Sequence, residues 1–414
     1  MTDPMLPALP GANPSHARAH NRRVVLDVVR LLGPLSRAEI ARATTLTAQA
    51  VSNIAQELIG LGLLREAGRR RAALGQPPVD LAIAPAGAYA VGLHLDHHRV
   101  AGIVVDLAGV PTASAERPLD LADPGHAIPE MAALVGELLV KGATPRRRVW
   151  GIGVAIPGPF EVDWPAAHSP TVLPGWADFP AATELAQRLR LPVLVENDAT
   201  AAAVGERLYG VARELRHFFY VYIGTGLGGG LFLDGQPYKG AWGNAGEFGH
   251  IVVERQGRPC HCGNRGCLER YLSLHAAYEA CRAAGLAVDT PADLEASYRA
   301  GALAPRRWLE GAAQHLRLAL NTIENLLDPE AIVIGGPLPG LLIEQLVERL
   351  GPLAGSVSAR RDRQRPRLLV AAAGKDSAAL GAAALPIFEA MSPRLAVMLK
   401  RPAAGRLAAG GWAG

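Results

Sequence analysis

The sequence predicts an α/β protein with a small, basic, helical head on a larger body in which strands and helices alternate. Three observations carry that prediction. The chain has 414 residues, of which 49% are hydrophobic. That is long enough for two or three sizeable cores and too apolar to remain disordered. The apolar pattern also changes along the chain: helical spacing dominates up to about residue 64, then short buried runs ending in Gly or Pro alternate with helical stretches. Finally, the charge is uneven. Residues 1–85 hold ten Arg and no Lys against six Asp plus Glu, an excess equal to the +4 of the whole chain. A basic head on a neutral body suits a head that meets a polyanion.

The opening MTDPMLPALPGANPSHARAH is rich in Pro and Ala and reads as a flexible tail over 1–20, with no charged-then-apolar leader. The head is expected over 21–85. NRRVVLDVVRLL (21–32) has helical spacing. SRAEIARAT (36–44) starts with Ser36 and Glu39 in a capping-box arrangement,. TAQAVSNIAQELIGLGLL (47–64) places Val51, Ile54, Ala55, Leu58 and Ile59 on one face and Gln49, Ser52, Asn53 and Gln56 on the other. The first face can pack, and the second can reach base edges. A basic tip, GRRRAALGQPP (68–78), then precedes the alternating VDLAIA (79–84).

In that order these elements resemble the winged helix-turn-helix heads of bacterial regulators. The resemblance implies that the 47–64 helix enters the DNA major groove, with Thr47, Gln49, Ser52 and Asn53 reading bases and Arg69, Arg70 and Arg71 holding phosphates. Thr45 stands where many such turns carry Gly. A β-branched residue disfavours positive φ, so a differently shaped turn is expected there. A helical protein–protein module is the alternative.

The body is expected over 86–395. AYAVGLHLDHHRVAGIVVDLAG (88–109) and FFYVYIGTGLGGGLFLDG (218–235) each read as two strands around a turn. This pairing hints at a duplicated, two-lobed build. VWGIGVAIPGPF (149–160) reads as a buried strand into a turn, LPVLVENDATAAAVGERLYG (191–210) as strand, loop and helix, and EAIVIGGPLPG (330–340) as a strand ending in glycines. Ligands of such sheets bind at strand ends. The segment 396–414 reads as a second flexible tail.

Three of the four cysteines lie in CHCGNRGC (260–267), ten residues after His250. One imidazole and three thiolates suit tetrahedral Zn²⁺ with no position left for water, hence a structural site within 250–267. Ordinary buried thiols are the alternative, and the reading for Cys281. This cysteine usage and the absence of a bilayer-length apolar run point to a reducing, cytoplasmic setting with no membrane.

GEFGH (246–250) and CHCGNRGCLERYLS (260–273) resemble the signature of the ROK family of repressors and sugar kinases. ENDATAAAVGE (196–206), IGTGLGGGLFLDG (223–235) and IVIGGPL (332–338) match its other motifs in order. The resemblance implies a two-lobed actin/hexokinase-like, ribonuclease H-like body with zinc on His250, Cys260, Cys262 and Cys267. It also implies a sugar between the lobes, on Asn197, Asp198, Glu247, His250 and Glu269. A sugar's hydroxyls both donate and accept, so carboxylate, amide and imidazole are fitting partners. For Asp198 the alternative is a helix N-cap; for Glu247 and Glu269 it is a solvated surface.

In the family's kinases the counterpart of Asp198 is the general base, and two glycine-rich turns hold the ATP phosphates. The second turn survives here as Gly224, Thr225, Gly226, Gly228 and Gly229. The first, D-x-G-G-T near residue 96, does not: this chain has Leu95-Asp96-His97-His98-Arg99. Two imidazoles and a guanidinium are expected to obstruct a phosphate there, although Arg99 could attract one by charge. Half a cradle is a severe loss in phosphoryl transfer. The remaining glycines have a sufficient role in a tight turn, so no bound ATP is expected. The expectation is a sugar-responsive repressor that binds a palindromic double-stranded operator as a homodimer or homotetramer. A sugar kinase with a DNA-binding head is the alternative.

Overall fold

The computed structural model describes residues 14–69, 78–158, 173–176, 179–357, 360 and 362–393. Its head contains helices α1 (Pro14–Leu32), α2 (Arg37–Thr44) and α3 (Ala48–Gly60), with strands β1 (Leu35–Ser36), β2 (Leu64–Arg69) and β3 (Val79–Ile83) forming a small sheet in the order β1-β3-β2. The Ser36–Glu39 capping box is present in both directions. Thr47 caps α3 by accepting the Ala50 N–H. Val51, Ile54, Ala55 and Leu58 are buried and Ile59 is half-buried, the dry face expected.

Two expectations for the head are corrected. The helix does not begin near residue 21 but at Pro14, inside the expected tail. Proline is tolerated in a first turn because the N–H it lacks has no helical partner there. Arg18 and Arg22, one turn apart, both grip Glu57 of α3 at 2.9 and 2.6 Å. Thr45 does adopt the left-handed conformation, φ 56° and ψ 15°. It is exposed, and its hydroxyl donates to the Thr44 carbonyl, which offsets part of the cost of that backbone. Residues 1–13, 70–77 and 394–414 lie outside the described residues, and with them Arg70, Arg71 and the tail expected at 396–414. The same holds for the side chain of Arg69, whose backbone ends β2.

The body is two five-stranded sheets of the same design. The first comprises β4 (Tyr89–Asp96), β5 (Arg99–Asp106), β6 (Pro111–Pro118), β7 (Val149–Ile156) and β8 (Val193–Asn197), in the order β6-β5-β4-β7-β8. The second comprises β9 (Phe218–Ile223), β10 (Leu227–Leu233), β11 (Gln236–Pro237), β12 (Ala331–Gly335) and β13 (Leu368–Val370), in the order β11-β10-β9-β12-β13. In each, three antiparallel strands are followed by two parallel ones. The duplication suggested by the two hairpins is therefore real at the level of topology.

Helices cover the outer faces. On the first sheet, α4 (Pro124–Lys141) packs on β5 and β6 and against α5 (Ala181–Leu189). Behind the second lie α7 (Leu274–Ala283), α8 (Pro291–Arg299), α9 (Leu303–Leu327) and α10 (Gly340–Arg349), with Cys281 buried among them as a core thiol. Two helices lie between the sheets: α6 (Asp198–Tyr209) on β9 and β10, and α11 (Ser377–Met391) on β4 and β7. Contact there is backbone to backbone: a Cβ on Gly153 of β7 would stand 1.9 Å from the Ala382 carbonyl oxygen of α11. No helix among the described residues is long and apolar enough to cross a membrane.

The head is joined to these inner helices. Val25, Leu26 and Val29 of α1 share a core with Leu208, Phe388 and Met391. Arg30 donates to the Leu208 carbonyl at 2.7 Å, a buried contact, while Arg213 donates to the Arg30 carbonyl at 3.1 Å. Arg23 donates to the Glu389 and Ser392 carbonyls at the end of α11.

Candidate functional site

Strand β8 ends at Asn197 and α6 begins at Asp198, with no loop between them. The sequence predicts a loop there and offers Asp198 as the cap. Instead Asn197 is the cap, its Oδ1 accepting the Ala199 and Thr200 N–H groups at 2.9 and 3.3 Å. An Asn oxygen committed to the helix leaves its NH2 as the group available to a ligand. Asp198 accepts the Ala199 N–H at 2.8 Å. Its carboxyl is pushed up to about 7 by burial, opposed by that N–H and reinforced by Asp96 and Glu247. Near neutrality it can therefore donate or accept a proton.

The five residues expected to meet a sugar all line one cleft between the sheets, together with the turn after β9 and the end of β4. The cleft opens to solvent, and the space between its walls amounts to about 880 Å³ when the open mouth is counted. Glu269 is buried and accepts the Leu227 N–H at 3.1 Å, so it is no surface residue. Glu247 sits at the mouth with 40% of its side chain exposed, 3.9 Å from His250 Nε2. Desolvation pushes its carboxyl up, His250 opposes this and Glu269 adds to it.

Behind His250 lies the cysteine loop. Its Nδ1 faces Cys260 Sγ at 3.7 Å, and Cys262 Sγ lies 3.5 Å from Cys267 Sγ. One donor atom from each of the four residues lies within 4.8 Å of every other. A tetrahedral ion bonded to sulfur at about 2.3 Å sets its donors roughly 3.8 Å apart, so the group can hold a metal. The buried thiols push one another up: Cys267 is raised well above the usual thiol range by burial, then by Cys262 and Cys260. A dication reverses that preference. Gly266 has φ 77°, and a Cβ there would meet the Glu254 carbonyl oxygen at 1.6 Å. That close approach brings Cys267 back beneath Cys260. Asn264 Nδ2 donates to Cys262 Sγ at 3.5 Å, the kind of support that ligating thiolates receive,.

The two hairpin turns depart from the sequence reading. Of the Asp96–Arg99 stretch, only Asp96 and His97 line the cleft. His98 is exposed. Arg99 is ion-paired with Glu116 on β6, and its charge also acts on His94 and Tyr222 of the lining. In the other hairpin the turn proper is only Gly224-Thr225-Gly226; Gly228, Gly229 and Gly230 lie within β10. A tight turn does not explain those three. A Cβ on Gly230 would stand 2.5 Å from Ala203 Cβ and 2.8 Å from the Ala199 carbonyl oxygen. Close packing of β10 on α6 requires the absent side chain.

Sequence reasoning missed His94, Thr200, Tyr222, Asn244 and Pro337, which also line the cleft. One signal was legible: His94 interrupts the apolar run of β4, and an imidazole buried in a strand needs a reason. In the head, Thr47, Gln49 and Asn53 are exposed and Ser52 is half-buried on α3, and Gln49 Nε2 donates to Asn53 Oδ1 at 3.0 Å. Together they form one polar, solvent-facing strip opposite the buried face.

Comparisons with known proteins agree with this architecture. A family model described as the ROK family matches residues 90–388. The xylose repressor of Bacillus subtilis strain 168 is 26% identical over 379 residues, covering 91% of this chain and 97% of that protein. Among solved structures, a ROK family transcriptional regulator, described as a homolog of the Escherichia coli Mlc protein, has a TM-score of 0.70 at 23% identity. It covers 91% of this chain and 98% of its own. A ROK family glucokinase from Streptomyces griseus, solved with glucose and AMPPNP, has a TM-score of 0.59 at 26% identity. It covers 72% of this chain and 99% of its own. The family match takes in both sheets, the inner helices and the cysteine loop, and the chain belongs to the ROK family.

Proposed function

We propose that this protein is a sugar-responsive DNA-binding transcriptional regulator, a repressor by preference, rather than a sugar kinase. One observation supports this above the others: the helix that begins in the cleft ends against the head. α6 starts beside Asn197 and Asp198, and its last turn accepts Arg30 of α1. A sugar held by Asn197, Asp198, Glu247, His250 and Glu269 would favour one arrangement of the sheets, and α6 would carry that preference to α1. The ligand shifts the equilibrium only by its differential affinity for the two arrangements. Two copies would set two α3 helices on a palindromic operator. Thr47, Gln49, Ser52 and Asn53 would read bases, and Arg69, Arg70 and Arg71 would hold phosphates. The xylose repressor, alike along nearly the whole chain, supports the reading.

Zinc on His250, Cys260, Cys262 and Cys267 would supply a fixed clamp and no open position for chemistry. His250 Nε2, turned toward Glu247, would then be left as the ring nitrogen that meets the sugar,. Phosphoryl transfer is disfavoured because His97 stands where a glycine turn would admit phosphate. The domains follow the same logic: a DNA-binding head ending near residue 85 and a sugar-binding body reaching about residue 395.

Operator retention should weaken steeply with salt and change when the matching sugar is added. Turnover of ATP with any sugar at enzyme-like rates would overturn this assignment in favour of the kinase.

A further inference from the structure

Residues 86–414 carry no net charge, but one end of the first sheet is strongly basic. Strands β4, β7 and β8 run parallel to one another, so they begin at a common end. At their other end Asp96 and Asn197 line the cleft. The segments that enter at the starting end carry the excess. Residues 138–150, which lead into β7, include Lys141, Arg146, Arg147 and Arg148. Residues 185–192, which lead into β8, include Arg188 and Arg190. Neither segment contains Asp or Glu.

Folding gathers these charges. The Arg146 guanidinium donates to the Leu189 carbonyl, which sets the two segments side by side. All five arginines are exposed. Arg117 of β6 is held between Glu130 and Glu137, whereas none of the five is ion-paired with a described carboxylate. The same end carries the head. Arg148 donates to the Ala86 carbonyl in the turn Pro85–Gly87, which joins β3 to β4. That turn is fastened to the end of α3. The Ala84 N–H donates to the Leu63 carbonyl at 2.9 Å, and a Cβ on Gly87 would stand 2.4 Å from the Gly62 carbonyl oxygen.

We propose that this end of the body is a second DNA-binding surface, on which Arg147, Arg188 and Arg190, flanked by Arg146 and Arg148, hold phosphates of the duplex that α3 contacts. The proposal rests on the head being a DNA-binding module. Exposed guanidinium groups without a carboxylate partner suit phosphate oxygens, which they can meet with two parallel hydrogen bonds. Gln187 is the one amide side chain in the two segments. The surface therefore adds affinity and fixes orientation on the duplex, and it contributes little sequence preference.

Fluorescence anisotropy of the full-length protein on a random-sequence duplex of about 60 base pairs, repeated across a range of salt, tests this. The parent is compared with the triple variant Arg147→Gln, Arg188→Gln, Arg190→Gln. We expect the plot of log affinity against log salt to become shallower by roughly 2–3 per subunit, with affinity at about 0.1 M salt on the order of 100-fold weaker. Lysine at the same three positions should restore most of both, because a phosphate accepts either cation. A glutamine variant with the parent's slope and affinity overturns the proposal and leaves the head as the DNA-binding part. Equal losses in the glutamine and lysine variants assign the effect to local geometry, and the proposal fails. It fails too if the parent retains polyglutamate and the glutamine variant loses that binding while keeping its DNA binding, which would make the surface one for an acidic protein. If the parent binds no duplex at all, the DNA-binding reading itself fails.

Discussion

The two sheets share one strand order, yet their hairpins have gone different ways. The β9–β10 hairpin is rich in glycine, while the β4–β5 hairpin turns through Asp96-His97-His98-Arg99. The difference lies in what leans on each. Gly230 is pressed by Ala199 and Ala203 of α6, so its side chain is forbidden whatever the cleft holds. At the tip of the other hairpin His98 is exposed and Arg99 reaches sideways to Glu116. Glycines in such a hairpin can thus be required by packing alone. Retained glycines alone are weak support for nucleotide binding.

The comparison can be broken most directly at Gly230. Gly230→Val should cost roughly 3 kcal/mol or more in denaturant unfolding, because the β10–α6 contact has no room for it. A loss below about 0.5 kcal/mol would show that these glycines are not kept for packing. Cys262→Ser comes next. One equivalent of metal should be lost, with about 3 kcal/mol of stability when metal is supplied and far less in chelator. Unchanged metal content by elemental analysis would remove Cys262 from the ligand set.

Arg30→Ala should cost about 2 kcal/mol, since it strips the Leu208 carbonyl of a buried partner and Asp27 of its cation,. Its more telling effect is on coupling: sugar should still bind, while operator affinity should no longer respond to it. A normal response would exclude this contact as the link.

Asp198→Asn sharpens the electrostatic side. Asp198 holds its proton more tightly folded than unfolded, with a pKa of about 7 against 3.8. Its stabilising contribution is complete below pH 3.8 and drains away as pH rises through 7. The Asn variant should therefore be more stable than the parent to denaturant at pH 8, by about 1–2 kcal/mol given the partial openness of the cleft, and the gap should close toward pH 4. A constant gap across that range would mean the carboxyl does not titrate there. The smallest effect belongs to His98→Ala, under about 0.5 kcal/mol. It should not confer ATP turnover, because Asp96 and His97 still fill the cleft wall.

Much of this was legible in the residues. Ser36 and Glu39 announced their helix, the two faces of α3 could be read from spacing, and the Cys–His cluster declared itself because its residues are close in sequence. All five cleft residues named beforehand do converge. What escaped was set by partners far along the chain. Pro14–His20 looks like a tail until Glu57 of α3 is there for Arg18 and Arg22 to grip. Thr45 takes a backbone shape that its local preference opposes, since the fold around the turn decides. Gly228–Gly230 read as a turn because nothing local reveals α6 lying across them. His94 was visible as an oddity, but only the folded strand puts it in the wall of the cleft.

The direct passage from β8 into α6 has a genetic corollary. If α6 couples the pocket to the head as proposed, then with no loop between Asn197 and the helix a nudge at one end would be felt at the other, and the far end could be disturbed without touching either ligand. A screen for unregulated expression should therefore recover lesions at the seam around Arg30, Leu208 and Arg213, in protein that still grips operator and effector separately. Such alleles would be silent in binding assays done one partner at a time and visible only when both are present.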